Sequence, residues 1–373
     1  MKVAYITLHK VRNYGSVLQT YAARKVLENL GHEPILIDYC PPRFVESNRA
    51  DDEFRRFRYK RKNNPIIKAL FYAVTKRELN RLRKRFERFL SQALPRKTKP
   101  YFDIEELRAD PPVADVYCTG SDQVWNFKTN GFYERPFYLD FGDPSTRRVA
   151  FAASFGRSEL EPEEMEAIRE TLGRYYAIGV RESSGLPILE RLGVERRANL
   201  LDPTLALDES EWWKTSSDVS PFKEKYILVY EFNKTSDIGA YARKLSAETG
   251  LPVKRIAYYG YERHKGERCV VAPSVNKFLT LIRHAEYVIT NSFHATVFST
   301  VFKKKFAAVY PASFSARLAD FLELTGMSER HFDDPEKIGE ISRPIDFERV
   351  GAKLAEEREK TLTFLQKAIE GNL

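Results

Sequence analysis

A chain of 373 residues, 43% of them apolar and 13% aromatic, can bury more than one core and is far from a disordered composition. No apolar run approaches the roughly 20 residues of a membrane-spanning helix, and MKVAYITLHK leads straight into a strand, so a cytoplasmic chain without a secretory leader is expected. The formal charge of +9 is local. Between Arg55 and Lys99 stand 17 Lys/Arg against Glu78 and Glu87, a net +15 that leaves −6 for the remaining residues.

In chain order, Lys2–Thr7 reads as a strand, Gly15–Leu30 as a helix closed by Gly31, and Pro34–Asp38 as a second strand, which together make a βαβ unit. Residues 41–100 interrupt the alternation with the basic run and with Leu79, Leu82, Phe86, Phe89 and Leu90 at helical spacing, an inserted helical arm. Strands return at Ala114–Cys118, Arg148–Ala152, Ile178–Arg181 and Asn199–Leu201, with helices at Pro162–Leu172 and Ser183–Leu192. A second series follows: strands at Tyr226–Phe232, Val253–Tyr258, Tyr287–Thr290 and Phe306–Val309, and helices at Asp237–Thr249, Ser274–Ala285 and His294–Phe302. The expected architecture is α/β, two Rossmann-like domains in a glycosyltransferase-B-like arrangement with an inserted basic helical arm at about 45–100. Residues 1–205 form the N-terminal domain on the acceptor side and 206–330 the C-terminal domain on the donor side. Helices in 331–373 pack back across the junction.

Cys40, Cys118 and Cys269 lie far apart, and none of the six histidines forms an HxH or HxxxH pair, so neither a disulfide framework nor a metal site is expected. Polar residues instead gather at strand ends, where parallel α/β sheets place ligands. Asn13-Tyr14-Gly15 opens a helix N-terminus suited either to an anionic ligand or to simple capping. Gly120-Ser121-Asp122-Gln123-Val124-Trp125-Asn126 offers a carboxylate, amides and an indole for a sugar, or a closed turn above a buried tryptophan. Ser154, Gly156 and Arg157 form a small-residue loop that would suit phosphate. Arg181 leaves an apolar strand beside Glu182, either to clamp an anion or to pair with an acid. Asn291-Ser292-Phe293-His294 turns a strand into a helix and puts a histidine at its start.

Taken in order, NYGSVLQTYA, TGSDQVWN, the Ser154-Phe155-Gly156 loop, VRES, LDPTLAL and ITNSFHATVFS resemble the polysaccharide pyruvyl transferase family over residues 13 to about 302. The resemblance implies transfer of the pyruvyl group of phosphoenolpyruvate onto two sugar hydroxyls, giving a ketal and phosphate without an essential metal or cofactor. It also implies His294 at the donor site, Arg181 on the donor's anionic groups and Asp122 facing the acceptor. Well-studied members of the family carry Arg-Leu-His where this chain has Ser292-Phe293-His294, the form of a related Ser-Phe-His branch. The anionic grip is therefore expected from Arg157, Arg181, Arg317 and Lys277. Two other readings remain open: a glycosyltransferase with a nucleotide-sugar donor, and a protein that binds anionic surfaces through residues 55–99. For that arm the inner face of a membrane is the expected contact, and nucleic acid is not expected.

Overall fold

In the computed structural model the described residues are 1–11, 13–41, 54, 64–131, 133–232, 237–262, 266–310 and 316–373. Most of the arm's first half, residues 42–53 and 55–63, lies outside them. The N-terminal sheet has seven parallel strands: β1 (Lys2–Ile6), β2 (Glu33–Tyr39), β3 (Lys97–Tyr101), β4 (Val116–Thr119), β5 (Arg147–Ala153), β6 (Ala177–Val180) and β7 (Arg197–Asn199). Their order is β3-β2-β1-β4-β5-β6-β7. The second sheet contains β8 (Ile227–Tyr230), β9 (Val253–Ala257), β10 (Arg268–Val271), β11 (Tyr287–Thr290) and β12 (Lys305–Ala308), in the order β10-β9-β8-β11-β12. All its described pairings are parallel.

Val3 to Ile6 are buried on both faces of β1, as a central parallel strand covered by helices requires. The covering helices are α1 (Tyr14–Asn29), α2 (Pro65–Ala93), α3 (Pro162–Gly173), α4 (Gly185–Arg191), α5 (Ile238–Thr249), α6 (Val275–Arg283), α7 (Phe293–Val301), α8 (Ala316–Leu324) and α9 (Phe347–Glu370). Strand order reverses between β1 and β4 in one sheet and between β8 and β11 in the other. Such switch points open a crevice beyond the strands' carboxyl ends.

Two elements had no signal in the residue pattern. β3 lies at the end of the segment read as purely helical, and β10 falls in a stretch without apolar alternation; both are outermost strands. Edge strands bury only part of their side chains, so their periodicity is weak. The C-terminal helix α9 returns to the N-terminal sheet. Leu201 N donates to Thr361 Oγ1 at 3.0 Å, and Arg358 Nε donates to the Leu205 carbonyl at 3.0 Å.

Between the sheets Tyr14 acts as a pin. Fully buried, it stacks on Phe278 of α6 with centroids 4.4 Å apart, meets Phe86 of α2 edge-on at 4.9 Å, and donates from its hydroxyl to the Pro273 carbonyl at 2.7 Å. Residues of α1, α2 and α6 thus share one aromatic cluster, which ties the two sheets together.

Candidate active site

Four strand-end segments converge where the sheets meet. The loop after β4 places Asp122 in the left-handed region, with φ of 76°, a conformation that Asp tolerates better than most residues. Its carboxylate accepts from Ser16 Oγ at 2.5 Å and from Gln123 N at 2.9 Å. Arg181, at the end of β6, is buried: its Nη1 donates to Asp202 Oδ2 at 2.9 Å and its Nε to Glu182 Oε1 at 3.1 Å. Its Nη2 lies 3.9 Å from Asp122 and has no hydrogen-bond partner among the described residues. His294 comes from the other sheet, in the first turn of α7, which Ser292 caps through Ala295 N.

The imidazole of His294 is pressed against α1. A Cβ on Gly15 would lie 2.0 Å from His294 Nδ1, so only glycine fits there. On its other side, His294 Nε2 lies 3.8 Å from Asp202 Oδ2, inside ion-pair range but beyond a hydrogen bond, and no described residue partners it. Asp202 is the hub. Wholly buried, it accepts from Ser121 Oγ at 3.0 Å, from Arg181, and from Thr204 N and Oγ1 at 2.9 and 2.6 Å. Arg317 Nε stands 3.9 Å from Glu182, and a cavity of about 310 Å³ beside Arg181 is lined by Glu182, Asp202, Phe293 and Arg317.

The charges in this cluster hold one another. Burial pushes the carboxyls of Asp122 and Asp202 upward, but Arg181 and the His294 ring outweigh it and keep both below the usual carboxylate range. Burial alone would lower the Arg181 guanidinium, yet Glu182, Asp202 and Asp122 raise it. Arg317 is lowered by burial and by the neighbouring Arg181.

The structure brings together Gly15, Ser121, Asp122, Arg181, Glu182, His294 and Arg317, and places the other expected site residues elsewhere. Asn13 spends its side-chain oxygen on the Gly15 amide as a helix cap. Tyr14 is the interdomain pin described above. Trp125 is 1% exposed, donates to the Phe137 carbonyl at 2.9 Å and stacks on Tyr138, so it is core and offers no platform to a sugar. Asn126 caps the short helix Phe127–Asn130. Gln123 accepts from Asn126 Nδ2 and Thr129 Oγ1, leaving its buried Nε2 without a partner among the described residues. Gly120 packs on Thr7.

In the loop after β5, Ser154 Oγ donates to Glu182 and accepts from Gly156 N, which uses up the expected phosphate nest internally. A Cβ on Gly156 would meet the Asn126 amide at 2.4 Å. Arg157 turns away to pair with Glu164 at 2.5 Å. Asn291 Oδ1 accepts from Phe232 N and joins the ends of β11 and β8. The Lys277 side chain has no hydrogen bond or ion pair among the described residues. Ser16 and Asp202 were missed as site residues. Asp202 was legible only as part of LDPTLAL, and its partners Ser121 and Arg181 stand 81 and 21 residues away in sequence.

Sequence spacing also did not anticipate that His9, Asp38 and Cys40 meet at the ends of β1 and β2, with donor atoms within 4.8 Å of one another. Asp38 is already engaged there by His9 at 2.9 Å, Lys97 at 2.8 Å and Lys10 at 3.3 Å. The Cys40 thiol is pushed up to about 12 by burial and by Asp38. A metal needs the thiolate and a free carboxylate, so this arrangement is a charge-compensated aspartate and does not suit an ion.

Among solved structures the chain is similar to S. aureus MnaA determined with UDP, at 13% identity and a TM-score of 0.51 over 100% of this chain and 97% of that one. UDP-GlcNAc 2-epimerase from Methanocaldococcus jannaschii, at 12% identity and 91% of both chains, and the spinosyn rhamnosyltransferase SpnG, at 12% identity and 98% and 96%, have TM-scores of 0.47 and 0.39. The first likeness shows the fold: two Rossmann-like domains in a glycosyltransferase-B-like arrangement. No curated protein matches the sequence. The family model for polysaccharide pyruvyl transferase matches residues 13–313, a span that holds the cluster around Asp202 except Arg317, and the chain belongs to that transferase family.

Proposed function

We propose that this transferase moves the pyruvyl group of phosphoenolpyruvate onto two hydroxyls of a glycan, forming a cyclic ketal and releasing phosphate. The observation that carries the reading is the pair of buried nitrogens without partners among the described residues, His294 Nε2 and Arg181 Nη2, held around one aspartate at the junction of the sheets. Buried donors in a native protein are rarely left unsatisfied unless a ligand completes them.

On this reading the His294 imidazolium gives its proton to the methylene carbon of the enol, which becomes a methyl group and leaves an electron-poor carbon. A sugar hydroxyl adds to that carbon and loses its proton. The carbon–oxygen bond to phosphate then breaks, phosphate departs with the bonding pair, and the second hydroxyl closes the ring as its proton leaves. Arg181 Nη2 and Arg317 face the donor's negative oxygens. Asp122 is held below the ordinary carboxylate range and is therefore a weak base, better suited to orienting the acceptor hydroxyl with Ser16 than to deprotonating it.

Labelled phosphoenolpyruvate offered with a panel of glycan acceptors, with label transfer and phosphate release followed together, tests the reading. His294→Ala should lower turnover by about 10²–10⁴-fold; near-normal turnover would remove histidine from the chemistry. Because MnaA was solved with UDP, thermal-shift titration should compare phosphoenolpyruvate with UDP. Stabilisation by UDP alone would replace this reading with a nucleotide-sugar donor.

A further inference from the structure

The 29-residue helix α2 has two faces of opposite character. Phe71, Thr75, Leu82, Phe86 and Ala93 are buried on one side. At about 100° per residue, Ile66, Leu70, Val74, Arg77, Arg81, Lys84 and Arg88 fall within one outward sector of roughly 80°. The first three are exposed at 77%, 63% and 45%, and the four cations are exposed as well. Neither acid of the helix, Glu78 or Glu87, lies in that sector. None of the four cations has an ion pair among the described residues, whereas the neighbouring Arg83 is paired with Glu87 at 2.7 Å. A groove of about 670 Å³ runs along the cationic half.

We infer that this face docks on the surface of an anionic lipid bilayer, with Ile66, Leu70 and Val74 entering the boundary of the acyl region and Arg77, Arg81, Lys84 and Arg88 meeting headgroup phosphates. Charge complementarity selects an anionic partner, and the exposed aliphatic residues select a bilayer, because a nucleic-acid backbone offers them nothing. The face is presented rigidly. Glu78 accepts from Gly260 N at 3.0 Å, Arg85 donates to the Ala272 carbonyl, and Phe86 packs on Tyr14. The surface stands independently of the chemistry proposed for the cleft.

Flotation of the full chain with phosphatidylcholine vesicles, with and without phosphatidylglycerol, tests the inference. Binding should require the anionic lipid. The double variant Arg81→Gln/Lys84→Gln should cut partitioning about 30-fold, from about fivefold per charge, and Leu70→Ser about tenfold, both with unchanged circular dichroism. Three outcomes would overturn it: no binding to anionic vesicles, undiminished binding by the double variant, or binding to duplex DNA in preference to vesicles.

Discussion

Two regions carry arginines and differ in what faces them. In the cluster around Asp202, Arg181 is enclosed by Asp122, Glu182 and Asp202, and each group sets the ionisation of the next. On the outward face of α2, Arg77, Arg81, Lys84 and Arg88 are exposed, and neither carboxylate of the helix lies in their sector. The net charge of +9 comes from the basic run of residues 55–99 to which those four cations belong, whereas in the cluster around Asp202 acids outnumber arginines. Overall charge therefore describes what the protein's surface can meet and says nothing about its site. Arginine contributes through its partners and its burial more than through its number.

The contrast can be tested, and the largest effect is expected at Arg181. Arg181→Met leaves three buried carboxylates without their central cation and should destabilise the fold by about 3–5 kcal/mol in urea unfolding; a loss below 1 kcal/mol would mean the cluster is not a coupled unit. Gly15→Ala should follow. Alanine suits a helix, but its Cβ displaces the His294 ring, and turnover should fall on the order of 100-fold with little change in unfolding.

The carboxylates set the acid limb of stability. The folded-state values of Asp122 and Asp202 are depressed, so their contribution is complete above the unfolded value of about 3.9 and is lost as pH falls below it. Asp202→Asn should lower stability at neutral pH and flatten that limb. An unchanged acid profile would remove Asp202 from the hub. Trp125→Phe comes next, with a loss of about 1–3 kcal/mol and an unaltered acceptor KM; a raised KM would restore the indole to the sugar site. Smallest of all, Arg81→Gln/Lys84→Gln should change unfolding by less than about 0.5 kcal/mol, which marks the α2 cations as free of structural duty.

Some of this was readable along the chain because local environment leaves a local trace. β1 and β11 are apolar runs, and α1 begins at an Asx cap beside Gly15. His294, Arg181 and Asp122 were conspicuous as polar residues at strand ends. Trp125, Asn126, Ser154 and Arg157 were equally conspicuous by the same criterion, yet they turn inward to the Phe137 carbonyl, the short helix, Glu182 and Glu164. Periodicity reports which residues reach a strand end. It does not say which of them meet.

By itself the sequence determined the alternation of strand and helix, the family, the amphipathic spacing of α2 and the set of polar residues available for chemistry. Tertiary structure alone decided that Ser16 and Asp122, 106 residues apart, share a hydrogen bond, that Asp202 lies between Arg181 and His294, and that Gly15 yields its space to a histidine of the other sheet. The reason is physical. Hydrophobic pattern is set by neighbours one helical turn or one pleat away, whereas polar partners are set by strand order and by how one domain docks on the other.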